Sequence, residues 1–247
     1  MLIDAHLHIT KTDVENDILR MMDEMDYYGL TIGTNPPDCA WITSLAQHQK
    51  RIIPAFGLHP WYADQYDLKD MMTYLINCSV IGEIGMDSVW CNTDLDTQQR
   101  VFIAQLDIAQ QIGCPVMLHT KGMEKEIGEI IANYTMPVIV HWYSSLEHLG
   151  LYLKRDCYFT VGPDVSKNEA VQQAVKSVPL DRLFVETDGT AAVEWATGKP
   201  ASPKDLPEIL LSSVSYISKI KGIDIDIVQK EIAKNFERLG LLPQQAI

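Results

Sequence analysis

Eight short apolar runs rich in β-branched residues recur along the chain, and longer stretches with helical periodicity separate them. Near-continuous apolar runs of this kind are expected for parallel strands whose two faces are both covered. The alternation therefore predicts an α/β protein, either a closed barrel or a doubly wound sheet. The predicted strands span residues 2–7, 30–34, 52–57, 80–85, 115–119, 137–141, 158–162 and 183–187.

Two features favour the barrel. A dinucleotide-binding doubly wound sheet needs a GxGxxG sequence after a strand, and the chain has none. Its 247 residues are the usual length of one barrel, and no run of glycine, proline or serine forms a linker. We therefore predict a single (β/α)8 TIM barrel domain over residues 1–247.

Five of the seven histidines stand at or just beyond the ends of predicted strands: His6, His8, His59, His119 and His141. The C-terminal ends of barrel strands converge on one mouth, where active sites are found. These side chains are thus expected to meet, although they are far apart in sequence. His6 and His8 share one face of their strand, roughly 6 to 7 Å apart, and could bind one divalent ion.

Two acidic residues extend this pattern. Glu83 lies between glycines in an apolar strand, where a carboxylate is costly unless it is paired or bound to metal. We predict that it bridges two cations, with a buried salt bridge as the alternative. Asp188 follows the last strand, and we predict that it ligates a metal and accepts a proton from the attacking water.

Three further residues have two interpretations each. Glu186 faces the same side as Asp188, and it either supports the metal ligands or forms an ion pair inside the barrel. His59 either orients a substrate anion or stabilises its loop through a hydrogen bond. Lys121, just past His119, either contacts a phosphate or is a solvated loop cation.

With these residues identified, the chain resembles the TatD family of metal-dependent deoxyribonucleases, within the amidohydrolase-type barrels. The resemblance runs from the first strand to the last helix and is carried by DAHLH (4–8), GLHP (57–60), GEIGMD (82–87), PVMLH (115–119), ETD (186–188) and NFERLGLL (235–242). It implies metal ligands at His6, His8, Glu83, His119, His141 and Asp188. Because the fourth strand carries Glu83 and not a lysine, barrels bridged by a carbamylated lysine are disfavoured.

Positions beside these ligands depart from the family pattern. The family follows GEIGLD with aromatic residues and an arginine, whereas this chain has Ser-Val-Trp at 88–90. The family's LHxR reads LHTK at 118–121, its HCFSG reads HWYSS at 141–145, and its ETDxP reads ETDGT at 186–190. Lysine lacks the bidentate fork with which arginine binds phosphate. The departures therefore lie on the substrate side and leave all six ligand positions intact.

Three functions fit this pattern. The first is a TatD-type phosphodiesterase that acts on DNA ends through a metal-activated water. The second uses the same metals on a small amide, lactone or phosphoester. The third, a barrel that has lost catalysis and serves as a binding module, predicts a broken ligand position, and none is broken.

One or two divalent ions are expected. Ligand softness favours Zn²⁺, Mn²⁺ or Fe²⁺ over Mg²⁺, whereas the family resemblance implies Mg²⁺.

Composition narrows the setting. The formal net charge of −13 disfavours non-specific binding to nucleic acid or an anionic membrane, although bound cations would make the site itself positive. The five cysteines form no CxxC pair, which indicates free thiols in a reducing compartment. No signal peptide or membrane span is recognisable. We expect a cytoplasmic protein without a stable protein partner, and its oligomeric state is left open.

Overall fold

Eight parallel strands form one sheet in which each strand pairs with the next along the chain. The computed structural model describes residues 1–242. Its strands are β1 (Leu2–Leu7), β2 (Tyr27–Gly33), β3 (Ile52–Phe56), β4 (Val80–Gly85), β5 (Val116–His119), β6 (Val138–Val140), β7 (Tyr158–Val161) and β8 (Leu183–Val185). All eight predicted strands are thus present. The bounds differ most at β2, which begins three residues earlier than predicted, and at β8, which ends two residues earlier; β6 ends one residue before His141.

The sheet closes on itself where β8 meets β1. The Asp188 backbone N–H donates to the carbonyl oxygen of His6 at 3.0 Å, and the Thr187 N–H donates to the Asp4 carboxylate at 3.0 Å. Asp4 is fully buried and also accepts hydrogen bonds from the Tyr27 hydroxyl at 2.6 Å and from the Thr187 hydroxyl. Burial raises the pKa of the Asp4 carboxyl to about 7. The predicted (β/α)8 barrel is therefore confirmed, and a buried side chain helps to join its first and last strands.

Helices cover the outside of the sheet and occupy every connection between strands. They are α1 (Lys11–Glu15), α2 (Ile18–Glu24), α3 (Pro36–Ala46), α4 (Met72–Leu75), α5 (Leu95–Ile112), α6 (Glu124–Ile131), α7 (Leu149–Lys154), α8 (Glu169–Ser177), α9 (Thr190–Thr197), α10 (Leu206–Lys221) and α11 (Ile225–Arg238). Within residues 1–242, none is both long enough and apolar enough to cross a membrane.

The longest helix, α5, begins and ends at residues that favour those positions. The Asp94 side chain accepts a hydrogen bond from the Thr97 N–H at 2.8 Å, so Asp94 caps the first turn. Gly113 ends the helix with a left-handed backbone (φ +69°), a conformation that glycine adopts at little cost. Val101, Phe102 and Leu106 pack against the sheet and are buried, which agrees with the helical periodicity of this segment.

Successive side chains of β1 point alternately toward the helices and into the barrel interior. Leu7 lies with Met22 of α2 beside Gly29, in the layer between sheet and helices. Asp4 and His6, two residues apart, point to the barrel interior, where the His6 ring contacts the sulfur of Met117 from β5. The apolar residues facing the helices stabilise the barrel, and the opposite face of the same strand carries polar groups to its mouth.

Gly85 at the end of β4 permits the close approach of β5. Its φ is +147°, and a Cβ atom there would lie 2.0 Å from the carbonyl oxygen of His119. We expect Gly85→Ala to lower the free energy of unfolding by at least ~2 kcal/mol through steric overlap and backbone strain. Gly150 in α7 has open space around it, so Gly150→Ala should raise that free energy by about 0.5 kcal/mol. Urea titration of both variants tests this, and equal effects would contradict it.

Candidate metal centre

A cavity of about 630 Å³ opens at the mouth of the barrel, beyond the C-terminal ends of the strands. Its walls include every side chain predicted to ligate metal except His6: they are His8, Glu83, His119, His141 and Asp188. His6 lies just beneath them and is fully buried. The two residues predicted to contact substrate, His59 and Lys121, also line this cavity. The eight strands therefore bring all of these residues together.

One group of donors lies where β1 meets β8. The Nε2 atoms of His6 and His8 are 3.2 Å apart, and Asp188 Oδ1 lies 3.4 Å from the first and 3.5 Å from the second. Asp188 has a left-handed backbone (φ +62°), and its N–H is fixed by the carbonyl oxygen of His6. Two imidazole nitrogens and a carboxylate oxygen thus converge on one point.

The second group lies where β3, β5 and β6 end. His119 Nδ1 is 2.7 Å from Glu83 Oε1, and the Nε2 atoms of His141 and His59 are each 3.7 Å from the same oxygen. The rings of His141 and His6 stack with their centroids 3.8 Å apart, so the two groups adjoin. A second set of nitrogen donors therefore surrounds a single carboxylate oxygen.

Glu83 stands between the two groups and is buried. While Oε1 faces His119, its other oxygen Oε2 lies 3.5 Å from His6 Nε2 and 3.6 Å from His8 Nε2. Burial by itself would raise the pKa of Glu83, but the surrounding imidazoles of His59, His141, His6 and His119 hold it well below its usual range. Glu83 is therefore an ionised carboxylate with one oxygen directed to each group.

Two further carboxylates orient the histidines from behind. Glu186 Oε2 lies 3.0 Å from His141 Nδ1, and Asp87 Oδ2 lies 3.0 Å from His119 Nε2. Burial opposes charge on both rings, yet the neighbouring carboxylates raise the pKa of His119 to about 9 and that of His141 to about 10. The Glu186–His141 contact is an ion pair inside the barrel and at the same time holds a candidate ligand, so it fits both interpretations of Glu186. Such carboxylate–histidine pairs fix the ring orientation at metal sites.

The donor set fits a divalent cation. Three combinations place one ligand atom from each residue within 4.8 Å of the others: His6–His8–Asp188, His6–Glu83–His141 and His59–Glu83–His119. Imidazole nitrogen and carboxylate oxygen are the donors that Zn²⁺, Mn²⁺ and Fe²⁺ accept. The Nε2 atoms of His6 and His8 lie at hydrogen-bond distance, so when both rings are neutral a hydrogen bond between them needs a proton on one nitrogen and a lone pair on the other. A cation beside them would bind the lone pairs of both nitrogens.

His59 differs from the other histidines in its hydrogen bonds. The Trp61 N–H donates to His59 Nδ1 at 3.3 Å, which leaves the proton of the neutral ring on Nε2. Burial lowers the pKa of His59, whereas the nearby Glu83 acts in the opposite direction. Both interpretations of His59 are therefore compatible. The hydrogen bond from the Trp61 backbone occupies Nδ1, and the Nε2–H group then points to the cavity, where it can donate to a substrate.

Lys121 occupies the cavity wall beside an aromatic ring. Its Nζ lies 4.7 Å from the centroid of the Trp90 ring and donates to Ser144 Oγ at 3.4 Å. The ammonium group is thus held in place by a cation–π contact rather than extended into solvent. The structure is consistent with a phosphate contact and does not place Lys121 among the candidate ligands.

Comparison with known proteins identifies the family. The sequence model of the family described as TatD related DNase matches residues 3–240. The chain belongs to this family. Relatives of the TatD family align over nearly their whole lengths: a protein of Mycoplasma genitalium, MG009, is 28% identical, with 96% of this chain and 97% of that protein covered. YcfH of Escherichia coli strain K12 is 25% identical over 96% of this chain and 95% of its own. Both are named as uncharacterized metal-dependent hydrolases.

Solved structures agree in fold. The TatD homologue YjjV from Escherichia coli K12 superposes with a TM-score of 0.85 at 20% identity, covering 98% of both chains. A TatD family hydrolase from Entamoeba histolytica superposes with a TM-score of 0.76 at 16% identity, covering 96% of this chain and 97% of that one. The family match confirms the predicted TatD-type hydrolase at the level of the family, and the two relatives named as metal-dependent specify no metal.

Sequence reasoning missed two residues of this TatD-family site. In the sequence Asp87 is the last residue of GEIGMD, and in the structure it holds His119 and accepts a hydrogen bond from the Trp61 indole at 2.9 Å. Asp4 is the first residue of DAHLH, and in the structure it fixes the backbone on both sides of the first donor group. Both residues could have been found from the sequence, because each is an acidic residue close to a predicted ligand. Histidines that bind metal usually donate their second ring N–H to a carboxylate or another acceptor.

The support of His141 by Glu186 has a measurable consequence. Glu186→Gln keeps the shape of the side chain but removes its charge, so we expect metal affinity to fall about 10- to 100-fold. Titration of the metal-free protein with Mn²⁺ or Zn²⁺ against a competing chelator measures this. Glu147→Gln serves as the matched control, because the Glu147 side chain is exposed beside His148. An affinity equal to that of the control would contradict the supporting role.

Proposed function

We propose that the protein hydrolyses a phosphodiester bond at a DNA end, with His6, His8 and Asp188 binding one divalent cation and His119 and His141 a second. Glu83 would bridge the two. The observation that carries the proposal is that the two oxygens of the Glu83 carboxylate face different donor groups. Oε2 lies 3.5 Å from His6 Nε2, and Oε1 lies 2.7 Å from His119 Nδ1. A bridging carboxylate with separate nitrogen donors on each side is the arrangement that a two-metal hydrolytic site requires.

Cations bound there would supply Lewis acidity, which acidifies a water molecule and neutralises charge on a phosphoryl oxygen. Asp188 supplies the base. Burial raises the pKa of its carboxyl, and 19% of its side chain is exposed to the cavity, so it can accept a proton from the attacking water. The Nε2–H of His59 and the ammonium of Lys121 would donate to non-bridging phosphoryl oxygens and orient the phosphate for in-line attack.

The test is reconstitution of the metal-free protein with Mn²⁺, Zn²⁺, Fe²⁺ or Mg²⁺, one at a time. We expect hydrolysis of bis-p-nitrophenyl phosphate and stepwise release of mononucleotides from an end-labelled single-stranded oligodeoxynucleotide. The order of activity among the four metals identifies the cofactor. If no metal supports cleavage of either substrate, the proposed phosphodiesterase activity is wrong.

One observation favours a second candidate, hydrolysis of a small amide, lactone or phosphoester on the same metals. Among the cavity-lining residues of the described chain, Lys121 is the only lysine or arginine, and it faces five carboxylates: Asp38, Glu83, Glu124, Asp164 and Asp188. A long polynucleotide is normally bound through many cationic contacts to its phosphates. Hydrolysis of amides or lactones by reconstituted protein that leaves both phosphodiesters intact would select this function.

A further inference from the structure

Three tryptophans stand together on one side of the cavity, and we call them the tryptophan wall: Trp90, Trp142 and Trp195. The Trp195 ring centroid lies 5.9 Å from that of Trp142 and 6.3 Å from that of Trp90, each pair at an interplanar angle of 76°. Trp90 follows β4, Trp142 follows His141 beyond β6, and Trp195 belongs to α9 beyond β8. Three separate connections thus build one aromatic surface.

Two of the three rings of the tryptophan wall are more than half exposed. Trp195 is 68% exposed and Trp90 is 52% exposed, although each indole carries a large apolar surface whose contact with water is unfavourable. Lys121 lies over the Trp90 ring, so Trp195 offers the largest uncovered area of the three. A grouped exposed aromatic surface inside a cavity marks a ligand site rather than a random surface feature.

Trp142 is fixed before any ligand binds. Its indole N–H donates to Asp164 Oδ1 at 2.8 Å, and Asp164 is buried and held in turn by Asn168. Gly162 provides the space beneath the ring, because a Cβ atom there would lie 2.4 Å from the indole. A preorganised aromatic ring loses little conformational freedom on binding, which favours its use as a stacking platform.

The tryptophan wall also borders the metal centre directly. The Trp142 ring centroid lies 6.2 Å from that of His141, and Lys121 covers Trp90 at 4.7 Å. A ligand with a phosphate at the metal centre would therefore carry its neighbouring group to the tryptophan wall. Because Lys121 is the only lysine or arginine on the described walls of the cavity, few ion pairs with the phosphates of a bound strand can form there, and contacts with the rest of the ligand have to add affinity.

We propose that the tryptophan wall is a stacking subsite for an unpaired nucleobase next to the scissile phosphate. The inference rests on the proposed phosphodiesterase function and specifies its substrate as a short or frayed single-stranded end. Every base has an aromatic face that stacks on tryptophan, but a base inside a duplex is already stacked and paired. Stacking on the tryptophan wall thus favours a DNA end whose terminal base is unpaired.

A binding experiment tests the subsite without catalysis. Isothermal titration of the metal-loaded protein compares deoxyadenosine 5′-phosphate with 2-deoxyribose 5-phosphate, which carries a hydroxyl group in place of the base. We expect the wild type to bind the first about 5- to 150-fold more tightly, the range that base–aromatic stacking gives. Trp195→Ala removes the most exposed of the three rings and should lower this ratio about 5-fold, whereas Trp195→Phe should retain most of it. Trp41→Phe is the control, because Trp41 lies in α3, outside the cavity.

The exposure of Trp195 makes its replacement safe for folding, and circular dichroism of each variant checks this. Equal binding of the two phosphates by the wild type, or an unchanged ratio in Trp195→Ala, would overturn the proposal. A preference for the base-containing ligand in a protein that cleaves no phosphodiester would support the subsite while rejecting the proposed function. If cleavage does occur, removing the terminal base from an oligodeoxynucleotide should lower kcat/KM more in the wild type than in Trp195→Ala.

Discussion

Replacing Glu83 with glutamine is expected to reduce kcat for phosphodiester hydrolysis on the order of 10²- to 10³-fold, the effect of removing one group that stabilises transition-state charge. The reason is geometric. Glu83 Oε1 is directed to His119 and Oε2 to His6 and His8, so one ionised carboxylate serves both donor groups. A glutamine offers one oxygen and one amide nitrogen, and the nitrogen cannot ligate a cation. One side of the bridge would therefore be lost.

Metal analysis and steady-state kinetics of the same preparation check this prediction. We expect Glu83→Gln to bind less metal per chain than the wild type, while its far-ultraviolet circular dichroism is unchanged. Glu129→Gln is the control, since Glu129 is an exposed residue of α6. Wild-type metal content together with wild-type kcat in Glu83→Gln would show that the carboxylate does not bridge two cations.

Asp188→Asn is expected to lower kcat by about 10²- to 10⁴-fold, the contribution of a positioned general base. Asparagine retains an oxygen that can ligate metal, but it cannot take up a proton at neutral pH. The side chain of Asp188 lies at the mouth of the barrel within 3.5 Å of both His6 and His8, where an attacking water would be activated. The loss should therefore appear in turnover more strongly than in metal content.

The two substitutions separate the proposed roles of the carboxylates. Glu83→Gln is expected to reduce metal content and kcat together, whereas Asp188→Asn is expected to reduce kcat in protein that still binds metal. Metal per chain and turnover number, measured on matched samples saturated with Mn²⁺, distinguish the two patterns. Undiminished turnover in Asp188→Asn would refute its role as proton acceptor, whatever its effect on metal binding.

Much of the fold could be predicted because buried parallel strands appear as apolar runs in the sequence. The predicted strand at residues 80–85 has the same bounds as β4, and β1 also matches its prediction. The candidate ligands could be predicted for a related reason, since a carboxylate inside an apolar strand is costly unless it is paired or bound to metal, and the C-terminal ends of barrel strands meet at one mouth. Their roles as ligands remain predictions, although the structure brings all six side chains together.

Contacts between distant connections could not be predicted in the same way. The tryptophan wall joins residues of three strand–helix connections, and nothing in the sequence around Trp90 indicates that Trp195 lies beside it. The partner of Glu186 could not be predicted either, because His141 lies 45 residues away in the sequence. The connections between strands follow paths that are set by packing and not by a local periodic pattern.

Periodicity in the sequence indicates which residues form strands, which face of a strand is apolar and which polar groups stand at the strand ends. The packing of the folded chain is needed to show which oxygen of Glu83 faces which histidine, how Asp4 joins β1 to β8, and where the indole rings meet. Those arrangements depend on side-chain rotamers and loop paths that are set by contacts between residues far apart in the chain.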